Sequence, residues 1–398
     1  MKGIGAKKIL FLVGALLIWS CSGNGEDLPG DGDGDVEVNQ ENNQGAREDG
    51  RLDGEGEPCR LYDQRGPFGV GVVDRILDGG EEVAIFYPAH DQGPEPHVAR
   101  YDMRDFLPAS EREKISDEDS PQFEMSALLD MELSSDGPFP VILFSHGLGG
   151  YRYQSSELLS HLASWGFVVL SAEHPERNLA YILENMAPQE DNTADTLRVL
   201  MDYLRSENQR SDGFFEGALD LERVGVSGHS MGGAGAASML GEEGVQAAIF
   251  YASARTITEN HGAQVMWQSG STDRLATSVQ VRDAYSGAPA VARFLDIKGA
   301  GHLAFADLCA IEPDRGGPLQ IAIDNDINVP PIIRVLASDG CRDTDLDVEL
   351  AWPIIHHYSV AHYRSAFGID AEPVGMSAAT TTCFEDFAEL DWRAQESE

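Results

Sequence analysis

Residues 223–233 read Arg-Val-Gly-Val-Ser-Gly-His-Ser-Met-Gly-Gly, and they are the strongest indication of the fold. A short strand-like run is followed at once by Gly-x-Ser-x-Gly and then by small residues suited to a helix start. In that context the motif predicts a strand that turns sharply into a helix, with Ser230 held at the tip. Gly228 and Gly232 remove side chains that would collide at such a turn. The alternative is an ordinary tight turn with an inert serine.

Alternating strand-like and helix-like segments surround this turn. The alternation predicts an α/β fold with a mostly parallel central sheet, helices on both faces and loop insertions. Strands are expected at 69–76, 82–87, 141–144, 167–171, 224–227, 247–251, 264–267 and 292–297, and helices at 157–165, 193–205 and 353–367. Residues 95–138 and 310–340 are expected to be loops that set specificity.

A second glycine-rich turn follows an early strand, in the sequence Phe-Ser-His-Gly-Leu-Gly-Gly at 144–150. Backbone N–H groups in such a loop can point at a developing oxyanion. We assign the two donors to the N–H groups of Leu148 and Met231. His146 is expected to be structural rather than catalytic, and a plain strand–helix turn is the competing interpretation.

The general base and its acid should follow Ser230 in the order acid, then histidine. His302 lies directly after the strand at 292–297, where the carboxyl ends of strands gather catalytic groups. Asp273 likewise lies just past a strand, so we predict the set Ser230, Asp273 and His302. Asp283 and Asp296 are rivals for the acid, although the first falls in a predicted helix and the second inside a predicted strand. Four other histidines follow the serine, namely His261, His356, His357 and His362, and the last three suit surface or packing roles in a helix.

These motifs together resemble the α/β-hydrolase fold, and most of all the platelet-activating-factor acetylhydrolase type II group with its bacterial relatives. The resemblance covers about residues 66–370 and includes Leu-Ala-Ser-Trp-Gly-Phe-Val-Val at 162–169. It extends to dienelactone-hydrolase-like and polyester-hydrolase-like esterases. In the acetylhydrolases proper, the acid of the triad comes directly after the strand that follows the helix behind the nucleophilic serine. The corresponding residues here, 251–254, include no carboxylate. Asp273, one strand later, matches the polyester-hydrolase-like pattern.

The resemblance implies a serine esterase that cleaves acyl esters, short-chain or phospholipid-like, with no metal or organic cofactor. A lipase, a polyester hydrolase, a lactonase and a peptidase remain open on the same fold. A surface lipoprotein that uses the fold only for binding is the non-enzymatic alternative.

The first residues predict export. Residues 1–21 begin with three lysines and continue with an apolar run of 11 residues from Ile9 to Trp19, which suits a signal peptide better than a membrane span. Ile18-Trp19-Ser20-Cys21 resembles the lipobox of bacterial lipoproteins, with Trp19 unusual at its position. By that resemblance Cys21 becomes lipidated, and the protein is expected at a bacterial cell envelope, facing the periplasm or the exterior. Simple secretion is the alternative.

Residues 22–57 carry 12 acidic residues and 2 arginines and almost no large apolar side chains, so a disordered acidic linker is expected. The catalytic domain is then expected over 58–398. The whole chain has a formal net charge of −39, which argues against binding of nucleic acid or of an anionic membrane surface. Membrane contact is therefore expected only through the N-terminal lipid anchor. A neutral ester should be preferred, unless an arginine such as Arg152 or Arg274 lines the pocket.

Five cysteines are present, and removal of a lipidated Cys21 leaves an even number. In an exported protein these four are expected to form disulfides. Of the three possible pairings we favour Cys309–Cys341 with Cys59–Cys383. Because no two cysteines form a Cys-x-x-Cys motif, a zinc or redox site is not supported.

Overall fold

One mixed sheet runs through the part of the chain described by the computed structural model, which comprises residues 60–90, 97–186, 188–189, 192–289, 291–377, 380–384 and 387–393. Its strands within these ranges are β1 (Gly69–Ile76), β2 (Glu82–Ala89), β3 (His97–Asp102), β4 (Gln122–Leu129), β5 (Phe139–Ser145), β6 (Val168–Ala172), β7 (Leu219–His229), β8 (Val245–Tyr251), β9 (Gln264–Gly270), β10 (Ala292–Ile297) and β11 (Ala388–Arg393). The expected residues 1–21 and 22–57 lie outside the described part, as do Cys21 and Cys59.

The strand order is β11-β10-β9-β8-β7-β5-β6-β2-β1-β4-β3. Strands β5 to β10 pair in parallel, which confirms the predicted mostly parallel centre. Antiparallel pairs join β1 to β2, β2 to β6, β3 to β4 and β10 to β11. Every residue of β5 and β6 is buried, as expected for strands covered on both faces.

Helices cover both faces of the sheet. The α-helices within the described ranges are α1 (Ala109–Arg112), α2 (Ser156–Ser164), α3 (Leu179–Asn185), α4 (Thr193–Gln209), α5 (Gly232–Ser238), α6 (Ser278–Ser286), α7 (Gly317–Asp324), α8 (Pro331–Leu336) and α9 (Val348–Ala366). On α4, the spacing predicted to be amphipathic is confirmed, because Leu197, Leu200, Met201 and Leu204 are all buried.

The core has two layers, one on each side of the sheet. Along β5, Ile142 and Phe144 belong to one layer, with residues of α2 and α9, and Val141 and Leu143 belong to the other, with residues of α4. This alternation follows from the two-residue period of a strand. A third, smaller cluster joins Ile115, Ile182, Ile327, Val329 and Ile333 and lies beside the carboxyl-end loops.

The expectation that residues 95–138 and 310–340 are loops is wrong in part. The second segment contains α7 and α8, and the first contains β3 and β4, which extend the sheet by two strands at one edge. Their side chains are only partly buried, so the sequence lacks the continuous apolar run that marked the central strands. The last helix also begins earlier than expected, because Asp347 caps α9 and Pro353 lies inside it.

A disulfide joins Cys309 to Cys341, the first of the predicted pairs. Cys383 is also disulfide-bonded, and its predicted partner Cys59 lies outside the described residues. Within the described ranges, no helix has both the length and the apolar character needed to span a bilayer.

Candidate active site

Ser230 lies at the sharp turn between β7 and α5. Its φ is 55°, a left-handed conformation that a non-glycine residue adopts only under local constraint. A Cβ on Gly228 would lie 2.2 Å from the carbonyl carbon of Gly232, and one on Gly232 would lie 2.1 Å from the carbonyl oxygen of Ser145. Both glycines are therefore required by the close approach of the backbone, as the motif predicted.

Asp273 and His302 are brought together by the loops after β9 and β10. Asp273 Oδ2 lies 2.8 Å from His302 Nδ1, and both side chains are buried. The other carboxylate oxygen of Asp273 accepts the backbone N–H groups of Leu275 and Ala276, at 2.7 and 2.9 Å. This carboxylate is fixed on both of its oxygens, so its orientation toward the imidazole is set by the backbone.

The rival acids lie elsewhere. Asp283 is exposed on α6, and Asp296, on β10, accepts the hydroxyl of Ser269 at 2.7 Å. Of the other histidines, His261 is half-exposed beside Glu259. The three histidines of α9 are buried and serve packing: His356 stacks on His161, His357 accepts the N–H of Tyr62, and His362 contacts Arg293.

The second ring nitrogen of His302 is available for chemistry. His302 Nε2 is buried and has no hydrogen-bond partner within the described part of the chain. His302 and Ser230 both line one pocket with about 110 Å³ of accessible space. A base held by Asp273 on Nδ1, with Nε2 free beside a serine, is the arrangement needed to activate a hydroxyl.

Two backbone N–H groups near Ser230 are also free. Three of the neighbouring N–H groups are occupied: Gly147 donates to Gln154, Gly149 to Arg177 and Ser230 to Tyr251. The N–H groups of Leu148 and Met231 have no acceptor among the described residues. These are the two donors assigned from the sequence.

Gln154 is a functional residue that no motif or spacing in the sequence marks. Its Oε1 accepts Gly147 N–H at 3.2 Å and its Nε2 donates to His229 Nδ1 at 3.0 Å. His229 Nε2 then donates to the carbonyl of His302 at 3.0 Å. Burial and the neighbouring His302 lower the pKa of His229 to about 3, so this bridge stays neutral. It ties the glycine-rich loop, the serine turn and the histidine loop together.

Arg177 is a second residue that could not be predicted from the sequence, since neither composition nor hydrophobic periodicity identifies an arginine that becomes fully buried. Its guanidinium donates to the carbonyl of His146 at 2.9 Å and to Ser145 Oγ at 2.8 Å, and it pairs with Glu176. Its own carbonyl accepts Gly149 N–H at 2.8 Å. His146 is buried with both ring nitrogens bonded to backbone groups, and burial holds its pKa well below the usual range.

The pocket walls are apolar. Met103, Leu107 and Ile115 come from the segment between β3 and β4, and residues 318–337 of α7, α8 and their connection supply most of the opposite wall. Both segments expected to set specificity therefore border the pocket. Among the described residues that line it, none is Asp, Glu, Lys or Arg. Arg152 is paired with Asp74, Glu82 and Glu173, and neither it nor Arg274 reaches the pocket.

No group of three or more His, Cys, Asp or Glu side chains within the described ranges is arranged to hold a metal ion. The chemistry that the described side chains offer at the pocket is that of a serine, a histidine and a buried carboxylate.

The sheet order, the serine turn after β7 and the pocket at the carboxyl ends of the strands define the α/β-hydrolase fold. Residues 57–212 match the family of platelet-activating factor acetylhydrolase, isoform II. The match includes the glycine-rich loop at 144–150 and ends before the serine turn. The part of the chain that carries Ser230, Asp273 and His302 is therefore assigned on geometry.

Two relatives of established name show local similarity. Bis(hydroxyethyl) terephthalate hydrolase from Streptomyces coelicolor is 31% identical over 102 residues, which cover 26% of this chain and 28% of that protein. Platelet-activating factor acetylhydrolase from Cavia porcellus is 26% identical over 147 residues, which cover 28% of this chain and 34% of that protein. The chain thus spans about a third or less of each relative. The family and both names support an ester hydrolase of this type.

Proposed function

We propose that this protein is a serine carboxylic ester hydrolase with Ser230 as nucleophile, His302 as general base and Asp273 as the orienting acid. The observation that carries the proposal is the buried Asp273–His302 pair at 2.8 Å, with His302 Nε2 unbonded in the pocket that Ser230 lines. The similarity to acetylhydrolases and to a terephthalate ester hydrolase supports the same reaction class.

In the proposed reaction His302 Nε2 takes the hydroxyl proton of Ser230 while Ser230 Oγ attacks the ester carbonyl carbon. Asp273 holds the tautomer with the proton on Nδ1 and stabilises the imidazolium. His302 then returns the proton to the departing alkoxide, leaving an acyl group on Ser230. A water molecule repeats the sequence and releases the acid.

The tetrahedral oxyanion would be held by the N–H groups of Leu148 and Met231. They are free among the described residues, whereas the N–H groups of Gly147, Gly149 and Ser230 are already bonded. Each such donor is typically worth about 10²–10³ in kcat, because it acts where negative charge develops in a site shielded from water. Arg177 and Gln154 hold the loop that presents the first donor.

The pocket supports a neutral substrate with apolar groups. Its walls are largely aliphatic, and none of the described residues that line it is Asp, Glu, Lys or Arg. A carboxylate on the substrate would lose its hydration there without gaining a counter-ion. Short-chain and terephthalate-like esters have smaller acyl groups than long-chain lipids. The preference for acyl chain length therefore decides between an esterase and a lipase.

The test is the hydrolysis of p-nitrophenyl acetate, butyrate and palmitate by the wild type, Ser230→Ala and Ser238→Ala. Ser238 is exposed at the end of α5 and provides a matched control on the same helix. We expect turnover by the wild type and the control, and background release by Ser230→Ala. Equal release by all three proteins would overturn the proposal.

We also propose that the protein is an envelope lipoprotein anchored through Cys21. The support is the sequence of residues 1–21 alone. The chain expressed with Cys21→Ser should leave the membrane fraction and appear in the soluble fraction. Continued sedimentation with membranes would contradict the anchor.

A further inference from the structure

The loop from Asp339 to Asp345, here called the clip, lies between α8 and α9 and packs against the loops that carry Asp273 and His302. Asp339 itself is almost fully buried, with 2% of its surface exposed. A buried carboxylate must be satisfied by donors, and those donors show what the residue does.

Asp339 binds the backbone of both loops at once. Its Oδ1 accepts the N–H of His302 at 3.2 Å, and its Oδ2 accepts the N–H of Arg274 at 3.0 Å. Its backbone carbonyl accepts the N–H of Leu303 at 2.8 Å. Arg274 directly follows Asp273. The carboxylate of Asp339 therefore bridges the backbone beside Asp273 and the backbone of His302, the two residues whose side chains meet at 2.8 Å.

A second set of hydrogen bonds joins the clip to the Asp273 loop, on the N-terminal side of Asp273. Arg342 Nη2 donates to the carbonyl of Thr272 at 3.2 Å, and Asp345 fixes that guanidinium at 2.8 Å. Asp345 also accepts the hydroxyl of Thr272 at 3.2 Å and the N–H of Gly340 at 3.0 Å. The residues on both sides of Asp273 are therefore held by the clip.

The clip lies in direct backbone contact with the histidine loop. A Cβ on Gly301 would lie 2.5 Å from Gly340 Cα, and Gly340 has a φ of +110°. The disulfide from Cys341 to Cys309 fixes the clip covalently to the segment after His302. Asp339 is not among the residues lining the pocket, so it has no route to the substrate itself.

We propose that Asp339 is a positioning residue for the reaction, which keeps Asp273 in hydrogen-bonding register with His302 by bridging their backbones. The inference rests on the proposed function of that pair. A carboxylate is required because each of its two oxygens accepts an N–H. An asparagine keeps the shape but turns an NH₂ group toward one of the two donors, so one tie is lost.

The test compares Asp339→Asn with Asp343→Asn, in which the same charge is removed from an exposed position in the same loop. We expect kcat of Asp339→Asn to fall by about 10- to 100-fold with KM within twofold, since small displacements of catalytic groups cost rates of this size. Asp343→Asn should match the wild type. A kcat of Asp339→Asn within twofold of the wild type would overturn the inference.

A readout independent of turnover is the far-downfield proton resonance of the His302 Nδ1–H bonded to Asp273. It should be present in the wild type and in inactive Ser230→Ala, and be lost or shifted upfield in Asp339→Asn. An unchanged resonance in Asp339→Asn would contradict the positioning role even if the esterase proposal itself failed.

Should Asp339→Asn not fold, Thr272→Val removes only the hydroxyl tie to Asp345 and Gly299, and it should lower kcat in the same direction. An unaltered kcat and resonance in that variant would equally count against the clip.

Discussion

Substitution of Asp273 by asparagine tests the base most sharply, because the structure dictates how the new amide must face. Asp273 Oδ1 accepts two backbone N–H groups, from Leu275 and Ala276. The asparagine oxygen will stay with those donors, so its NH₂ group must point at His302 Nδ1. The imidazole is then forced to accept on Nδ1 and to carry its proton on Nε2, where it cannot take a proton from Ser230.

The expected loss in kcat is about 10⁴-fold, the size that a wrong imidazole tautomer produces in such a triad. It corresponds to about 5.4 kcal/mol of activation free energy. The assay is steady-state hydrolysis of p-nitrophenyl butyrate by Asp273→Asn beside Asp283→Asn, an exposed aspartate on α6. The control should keep wild-type kcat, and both variants should keep the wild-type unfolding temperature within a few degrees. A kcat for Asp273→Asn within tenfold of the wild type would show that Asp273 does not set the tautomer of His302.

Three further outcomes follow from the described contacts. Removal of the Cys309–Cys341 disulfide by the double variant Cys309→Ala/Cys341→Ala, which leaves the disulfide of Cys383 in place, should lower the free energy of unfolding by about 3–4 kcal/mol in urea titrations, since the two cysteines are separated by 32 positions; no change in midpoint would contradict this. Acidification from pH 6.5 toward 4 should destabilise the fold, because burial lowers the pKa of His161 and of His357 to about 4, so in that window only the unfolded chain takes up their protons. In that window each histidine lowers the free energy of unfolding by about 1.4 kcal/mol per pH unit of acidification. The measurement is this free energy from urea titrations at pH 7 and pH 5, and a rise on acidification would refute the prediction. Arg177→Met leaves Glu176 without its buried partner and frees the loop at His146, so it should cost about 3–5 kcal/mol in thermal or urea unfolding and also lower kcat; wild-type stability would show that the buried charge is not needed.

Much of the fold could be predicted because local sequence patterns mark the central strands and helices. Strands such as β5 carry continuous apolar runs, and α4 repeats apolar residues at the spacing of one helical face. Strands β3 and β4, the last two at one end of the sheet, could not be predicted, since their partly exposed residues have no such run, and β11 at the other end was not predicted either. Their pairing depends on neighbours far away in sequence, which a local pattern does not contain.

The side chains expected to carry the chemistry could be found because their motifs sit at strand ends, where the fold gathers them. The residues that hold them could not. Asp339 lies 37 positions after His302, and Arg177 acts through backbone carbonyls and a hydroxyl. Nothing in residue type or spacing marks such contacts, because they exist only once the loops have folded against one another.

An acyl group carried on Ser230 is the defining intermediate of the proposed reaction, and rapid quenching during turnover of p-nitrophenyl butyrate can trap it. Peptide mass spectrometry of the quenched protein should place a butyryl group on Ser230, with more of it at early times than after the substrate is exhausted. Ser230→Ala should carry none and release no p-nitrophenol above background. Turnover by the wild type with no adduct on Ser230, or with the adduct on another residue, would contradict the account.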